Sequence, residues 1–202
     1  MEFHPNTRLL LVGDSFARRN ENIIRTRYPA VALKVIALGE KTTAITTKYN
    51  AELQDALVFN PTHIIQHEGH NDLAFHPSKN PLPDISRDVA ASSIALALHM
   101  HLNHPQARIY ISATLPRSLK RYSVLNLEQV LAFNTRAKRH GQRIRTLATR
   151  NNIGHILNNF IWASISQAKE DSSVYEEDGI HLTSRGMHAQ AREWLGAIAI
   201  PN

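Results

Sequence analysis

The chain has 202 residues, which predicts a single domain over residues 1–202, and its 43% hydrophobic and 20% charged residues are ordinary for a folded globular protein. It contains no cysteine, which excludes disulfides, thiolate metal sites and a cysteine nucleophile. A net charge of +6 suits anionic partners such as nucleic acid or acidic lipid, and it equally suits simple solubility.

The first elements predicted along the chain are a strand, a helix and a second strand. Residues 8–12 form a short apolar run that ends at a Gly-Asp turn signal, which indicates a buried strand. Ser15 then opens a helical stretch. Residues 32–38, rich in Val, Leu and Ile, predict a second buried strand with Gly39 at its carboxyl end.

A capped helix, a third strand and a long loop are predicted next. Thr42 and Thr43 can cap one helix that ends near residue 60. Its apolar positions at helical spacing are Leu53, Ala56 and Leu57. Residues 62–66 predict a strand, and residues 69–83 form a polar loop with three prolines, of the kind that carries function at one rim of a sheet.

The second half of the chain repeats the alternation of helices and strands. Helices are predicted over residues 84–104, 125–150 and 184–195, and strands over 108–113 and 153–157. The positions expected to face inward in the first of these helices are Ile85, Val89, Ile94, Ala97 and Leu98. Gly141 is a point where the longest helix could bend or break.

This order of elements predicts the fold and one functional rim. Strands that alternate with helices imply a mostly parallel sheet covered on both faces, a three-layer α/β/α sandwich. Ligands of such sheets bind beyond the carboxyl ends of the strands. Ser15, Gly39 and Asn71 each follow a different predicted strand, so we expect them to converge at that rim.

Four short motifs resemble the conserved blocks of the SGNH (GDSL-like) hydrolase superfamily. They read Gly-Asp-Ser at residues 13–15, a glycine at 39, Gly-His-Asn-Asp at 69–72, and Asp-Gly-Ile-His-Leu-Thr at 178–183. They follow the family order and span almost the whole chain. Phe16 stands where the family motif carries its leucine, at a position that varies in the superfamily.

The chemistry of these residues matches a serine esterase. Ser15 needs an adjacent base to become a nucleophile, His181 can take its proton, and Asp178 can hold that imidazole in the accepting tautomer. The resemblance assigns the oxyanion hole to the backbone N–H groups of Ser15 and Gly39 and to the side-chain amide of Asn71. It implies hydrolysis of carboxylic esters (acyl, acetyl or lipid) through an acyl-enzyme, with no cofactor and no metal.

Each motif taken alone has a structural interpretation. Ser15 could be a helix cap, Gly39 a turn residue, and Asn71-Asp72 a self-bonded polar turn. These interpretations together do not explain the spacing of the Asp-x-x-His pair. Asp14 and Asp72 are expected to fix the turns beside the catalytic residues.

The chain has 12 histidines, and four of them crowd around the third strand: His63, His67, His70 and His76. No carboxylate or cysteine accompanies them at zinc-binding spacing, and His99 and His101 point to different faces of a helix. We therefore expect packing and surface histidines rather than a metal site. His70, inside the third motif, is the one expected near substrate.

An arginine stripe runs along the longest predicted helix and consists of Arg136, Arg139, Arg143 and Arg150. Two interpretations stay open: a solvated face, or an anion-binding surface together with Arg117, Lys120 and Arg121. The second supports an alternative function, a noncatalytic module with this fold that binds anionic lipid or nucleic acid. No Gly-rich phosphate loop or repeat of aromatic and basic residues accompanies the stripe.

The longest early apolar run, residues 9–12, is too short for a signal peptide or a membrane span, which predicts a cytoplasmic protein. The missing cysteines, absent signal and basic character are similar to those of the esterase domain in the first open-reading-frame protein of some LINE-type retrotransposons. That similarity implies an acyl or lipid ester as substrate.

Overall fold

A computed structural model describes residues 1–74, 84–121, 125–166 and 173–200. Its centre is a five-stranded sheet with the strand order β2-β1-β3-β4-β5, and all the paired strands are parallel. The strands are β1 (Arg8–Gly13), β2 (Ala32–Ala37), β3 (His63–His67), β4 (Arg108–Ser112) and β5 (Gly154–Ile156). The sheet confirms the parallel topology expected from the alternating elements.

The described helices connect and flank these strands. They are α1 (Ser15–Arg27), α2 (Thr42–Ala51), α3 (Leu53–Phe59), α4 (His70–Leu73), α5 (Ser86–Asn103), α6 (Leu127–Arg150), α7 (Asn159–Ser166) and α8 (Ser184–Ile198). Within the described ranges, no helix combines the length and the apolar character needed to cross a bilayer.

Helices cover both faces of the sheet because successive side chains of a buried strand point to opposite sides. In β1, Leu10 and Val12 pack into a core with α2, α5 and α6. Leu9 and Leu11 pack into a second core with α1 and α8, which includes Trp194. These four residues of β1 are fully buried between the two layers of helices, so the chain forms the predicted three-layer sandwich.

The carboxyl ends of the strands are aligned at one rim. Gly13 pairs with Ala37 on one side and with His67 on the other, and His67 pairs with Ser112. A Cβ at Gly13 would lie 2.1 Å from the His67 carbonyl oxygen, so only glycine fits where β1 passes β3. The Asp14 N–H donates to that same carbonyl at 3.1 Å, which turns the chain into α1.

The single helix predicted after Thr42 is wrong, because two helices meet there at Glu52. Thr42 and Thr43 also do not cap the first of them, whose N-cap is Lys41. The Thr42 N–H and hydroxyl instead donate to Asp72 Oδ2, at 2.9 and 3.0 Å. A carboxylate from a distant segment thus caps this helix, which no local pattern could indicate.

Three further details differ from the sequence-based expectations. Leu98, predicted to face inward, is 38% exposed, while Leu96 is buried. Helix α6 continues through Gly141, which has no side chain and so approaches Ala113 closely at the end of β4. Helix α7 was not predicted. The first residues of the predicted loop over 69–83 form α4, and residues 75–83 with their three prolines lie outside the described residues.

Candidate active site

Ser15 is the first residue of α1, directly after the tight turn at the end of β1. The N-cap of the helix is Asp14, whose side-chain Oδ1 accepts the Phe16 N–H at 3.0 Å. Because the Asp14 side chain caps the helix, the Ser15 hydroxyl is not needed for that purpose. The structure therefore contradicts the interpretation of Ser15 as a helix cap and agrees with a turn-fixing role for Asp14.

Asp178 and His181 belong to a compact turn that is shaped by its own hydrogen bonds. Asp178 Oδ1 accepts the N–H groups of Ile180 and His181, at 2.8 and 2.9 Å. Gly179 has a φ of 69°, in the left-handed region that glycine adopts without strain. The turn leaves Asp178 Oδ2 facing the imidazole of its own motif.

The serine, histidine and aspartate side chains form a continuous chain of contacts. His181 Nδ1 lies 2.6 Å from Asp178 Oδ2, and His181 Nε2 lies 3.3 Å from Ser15 Oγ. Because a carboxylate only accepts, Nδ1 carries the proton and Nε2 is left to accept from the hydroxyl. The second contact is long, as such contacts often are before a substrate binds.

Hydrogen bonds keep the Asp178 carboxylate ionised. Burial acts to raise the pKa of Asp178, but donation from the His181 ring and from the N–H groups of Ile180 and His181 outweighs burial and lowers this pKa. An ionised Asp178 is the state that fixes the His181 tautomer and stabilises an imidazolium.

The second and third motifs meet beside this chain of contacts. The Asn71 side-chain amide donates to the Glu40 carbonyl at 3.2 Å, which ties α4 to the loop after β2. Gly39 is exposed, and nothing lies within 4 Å of the place a Cβ would take, so a ligand can approach its backbone. Asp72 accepts the N–H of Thr42, directly after the same loop, and so has the turn-fixing role expected for it.

The histidines around β3 have separate surroundings. His67 is buried, with Nδ1 3.0 Å from Ser112 Oγ, and burial lowers its pKa to about 3. His63 contacts Thr62, and His76 lies outside the described residues. We find no shared ligand position for these rings among the residues that the structure describes.

His70 lies close to Ser15 and His181, and its expected contact with substrate stays a prediction. Its ring packs 5.4 Å from the ring of Phe16 and 4.7 Å from that of Phe133, and Phe16 in turn packs 5.7 Å from His181. Burial, with the nearby positive charge of Arg117, holds the pKa of His70 well below its usual value. His70 is therefore neutral near pH 7.

Arg117 and Glu68 are buried charged residues near the site that the motifs did not indicate as functional. The Arg117 Nε donates to His70 Nε2 at 3.2 Å, and its guanidinium carbon lies 4.2 Å from the centre of the Phe133 ring. Burial raises the pKa of Glu68 to about 7. Burial likewise raises the pKa of Asp14 to about 8. The sequence periodicity does not distinguish these buried charged residues from charged residues on the surface, because their burial depends on tertiary contacts.

The arginine stripe does not form one solvated face, so that interpretation is wrong at Arg136, while the interpretation as an anion-binding surface stays a prediction. Arg136 is only 6% exposed, whereas Arg139 and Arg150 are exposed. It is one turn along from Phe133, toward the apolar side of α6. Arg139 and Arg143 both pair with Asp84, at 3.4 and 3.3 Å, which offsets part of their charge.

One group of potential metal ligands occurs among the described residues. Ligand atoms of Glu176, Asp178 and His181 lie within 4.8 Å of one another. Asp178 and His181 bind each other, and Glu176 forms a salt bridge with Arg19 at 3.0 Å. These atoms already have protein partners, so a metal would have to displace the contacts described above.

Comparison with known proteins identifies the fold. No protein-family model and no curated protein matches the sequence. Solved structures do match it. A GDSL-like lipase from Bacteroides thetaiotaomicron superposes with a TM-score of 0.68 and 15% identity, over 95% of this chain and 87% of the lipase.

Two other solved structures give the same result. A lipase/acylhydrolase from Enterococcus faecalis has a TM-score of 0.65 and 15% identity, over 96% of this chain and 95% of its own. A catalytic mutant of an acetylxylan esterase from Geobacillus stearothermophilus has a TM-score of 0.67 and 14% identity, over 100% and 98% of the two chains. At such low identity the likeness shows the fold alone, and that fold is the predicted α/β/α sandwich of the SGNH hydrolases.

Proposed function

We propose that this protein is a serine esterase that hydrolyses carboxylic esters through an acyl-enzyme intermediate. The observation that carries the proposal is the unbroken line from Ser15 Oγ through the His181 ring to Asp178 Oδ2, assembled at the rim where parallel α/β sheets bind ligands. The hydrolase and esterase descriptions of the solved structures with this fold support it.

The reaction follows from the positions of these atoms. His181 Nε2 takes the proton of Ser15 as Oγ attacks the ester carbonyl, and the imidazolium then protonates the leaving alcohol. Water repeats the sequence on the acyl-enzyme, with His181 again as the base, and releases the acid. Asp178 stays ionised throughout and stabilises the imidazolium.

The negative oxygen of each tetrahedral intermediate needs donors that are already in place. We propose the N–H groups of Ser15 and Gly39 and the side-chain amide of Asn71. The Ser15 N–H is at the start of a helix, where it has no acceptor within the helix and the helix dipole favours negative charge. Asn71 donates one N–H to Glu40, which orients the amide and leaves its second N–H for the substrate.

A fluorophosphonate probe and one substitution test the proposal. We expect wild-type protein to be labelled at Ser15 and Ser15→Ala to lose labelling. Turnover of p-nitrophenyl acetate should fall about a thousandfold or more, with thermal unfolding nearly unchanged. Ser92→Ala, at an exposed position on α5, is the matched control and should keep both properties. Full turnover by Ser15→Ala would remove the serine from the reaction.

The ester itself is a narrower proposal. The similarity to the retrotransposon esterase domain favours a long-chain acyl or lipid ester. The acetylxylan esterase has the same fold, and its name gives an acetyl ester as its substrate. A series of p-nitrophenyl esters of increasing chain length separates the two. A rise in kcat/KM with chain length supports a long-chain acyl or lipid ester, and a maximum at acetate contradicts it.

The same probe addresses the alternative of a noncatalytic module that binds anionic lipid or nucleic acid. Salt-sensitive binding to nucleic acid or to anionic vesicles, without labelling of Ser15, would favour that module. The structure gives it little support, because the stripe loses Arg136 to the interior and two of its other arginines pair with Asp84.

A further inference from the structure

Two buried arginines lie beside the candidate active site, and the charges of Asp178 and Asp84 act on them only from beyond salt-bridge distance. Arg117 is 7% exposed and Arg136 is 6% exposed. Across the described part of the chain, no carboxylate forms a salt bridge with either guanidinium. A buried charge is costly unless a counter-charge or hydrogen bonds compensate it. The pair therefore points to an anion that is supplied from outside the chain.

Arg117 is held in place next to the catalytic turn. The Asn134 side chain binds both sides of its backbone, accepting the Arg117 N–H at 2.7 Å and donating to the Arg117 carbonyl at 2.9 Å. The next residue, Ser118, donates its N–H to the Gly179 carbonyl, directly after Asp178. These bonds fix the backbone at Arg117, and the contacts of its guanidinium with His70 and the Phe133 ring fix the side chain. An ordered side chain is typical of a binding residue, because less entropy is lost on binding.

His70 connects the arginines to the nucleophile. Its Nε2 accepts from Arg117, so its proton is on Nδ1, and that buried nitrogen has no hydrogen-bond partner among the described residues. The His70 ring packs on Phe16, the neighbour of Ser15. Arg117 and Ser15 thus lie on the same side of the molecule, separated by the His70 and Phe16 rings.

The Arg136 guanidinium lacks hydrogen-bond partners within the described residues. All three guanidinium nitrogens are buried, and within the described residues none of them makes a hydrogen bond. Its positive charge acts on Arg117: burial, followed by the charge of Arg136, lowers the pKa of Arg117 to about 10. Both groups stay charged near pH 7. Two like charges that are little exposed to solvent attract an oxyanion strongly.

We propose that Arg117 and Arg136 bind an oxyanion, a carboxylate or a phosphate, that the ester substrate carries close to its scissile carbonyl. The inference rests on the proposed function, since it places the anion on the molecule that Ser15 attacks. Guanidinium groups bind both kinds of oxyanion with paired, charge-assisted hydrogen bonds. The site would select acidic esters over neutral esters of the same length.

Matched esters measure this selection. The anionic substrates are 4-nitrophenyl hydrogen glutarate and 4-nitrophenyl 4-phosphonobutanoate, and the neutral partner is the methyl ester of the glutarate. We expect wild-type kcat/KM to favour an anionic ester, and the better of the two identifies the oxyanion. Arg136→Met should reduce that preference about 10- to 100-fold, as expected for the loss of a charge-assisted hydrogen bond. Arg150→Gln, at an exposed position of the same helix, should leave the preference unchanged.

Thermal unfolding gives a readout that does not depend on catalysis. Inorganic phosphate or glutarate, compared with chloride at constant ionic strength, should raise the Tm of wild-type protein and of Arg150→Gln but not of Arg136→Met. Without an added anion, Arg136→Met should unfold at an equal or higher temperature, because an uncompensated charge is gone. The same scan establishes that the variant is folded.

The outcomes separate this inference from the proposed function. If neutral esters are turned over and Ser15 is labelled, but wild-type protein shows no anionic preference, or Arg136→Met keeps it, the oxyanion site is wrong and the esterase stands. If no ester is turned over, stabilisation by phosphate or glutarate that is lost in Arg136→Met still supports the site. Equal stabilisation of wild type and variant, or none in wild type, overturns it.

Discussion

Replacing the Asp178 carboxylate with an amide tests how the His181 ring is held. In Asp178→Asn, the amide oxygen can still accept the N–H groups of Ile180 and His181 that now bind Oδ1. The amide nitrogen then faces His181 Nδ1 across the present 2.6 Å contact. Two donors cannot face each other, so Nδ1 must give up its proton and become the acceptor.

The proton therefore moves to Nε2, 3.3 Å from Ser15 Oγ, where a base is required. A ring protonated at Nε2 cannot take the serine proton. We expect kcat to fall about 10³- to 10⁴-fold, the size known for the wrong tautomer in the serine-protease triad, which is about 4 to 5.5 kcal/mol of activation free energy. The turn keeps its backbone hydrogen bonds, so thermal unfolding should change little.

Steady-state hydrolysis of p-nitrophenyl acetate by wild type, Asp178→Asn and Glu177→Gln provides the assay. Glu177 is exposed in the same turn, so its variant removes a negative charge without touching the ring. It should retain activity within about threefold, since exposed charges interact weakly through water. If Asp178→Asn stays within tenfold of wild type, tautomer control by Asp178 is refuted. If Glu177→Gln loses as much as Asp178→Asn, net charge rather than geometry is responsible.

Two further predictions concern the oxyanion hole and the buried His67. Asn71→Ala should reduce kcat about 10²- to 10³-fold as one donor among three, measured with the same ester; a change below threefold would exclude the amide from the oxyanion hole. His67 has a folded pKa of about 3 against 6.5 in the unfolded chain, so below pH 6.5 the unfolded state binds the extra proton and stability falls as the pH drops. His67→Gln should remove about 2 kcal/mol of the stability difference between pH 7 and pH 5, measured by urea unfolding. Asp14 acts in the opposite direction: because its folded pKa is raised to about 8, its contribution to the free energy of unfolding is lost as the pH rises from 3.8 toward 8. Because Asp14 is the same in both proteins, the comparison isolates His67, and an identical pH dependence would contradict a neutral buried ring.

The sequence determined much of the architecture because its signals are local. An apolar run at residues 9–12 and a following Gly-Asp turn suffice to predict a buried strand that opens into a helix. Five such strand signals alternate with helical stretches, and a parallel sheet with two covered faces follows from that alternation. The motif residues Ser15, Asp178 and His181 were also visible, since their spacing is a property of the chain.

Local signals were insufficient where a partner comes from a distant segment. Thr42 carries a capping residue's chemistry but donates to Asp72, thirty positions along the chain. Helix α7 is only eight residues long and was not predicted. On α5 the predicted inward positions Val89, Ile94 and Ala97 are buried, but Leu98 is exposed and Leu96, which was not predicted, is buried.

Helical periodicity showed that four arginines share a stripe on α6, and only the tertiary structure decided that Arg136 is buried near Phe133 while Arg150 is in solvent. The sequence likewise named a serine, a histidine and an aspartate, but the 3.3 Å between Ser15 Oγ and His181 Nε2 joins residues 166 positions apart. Residue types and short spacings are written in the chain itself. Burial and long-range contacts depend on which surfaces the packed sheet and helices bring together. Burial and these contacts in turn set the charge of each side chain, the tautomer of each histidine and the groups that each side chain can contact.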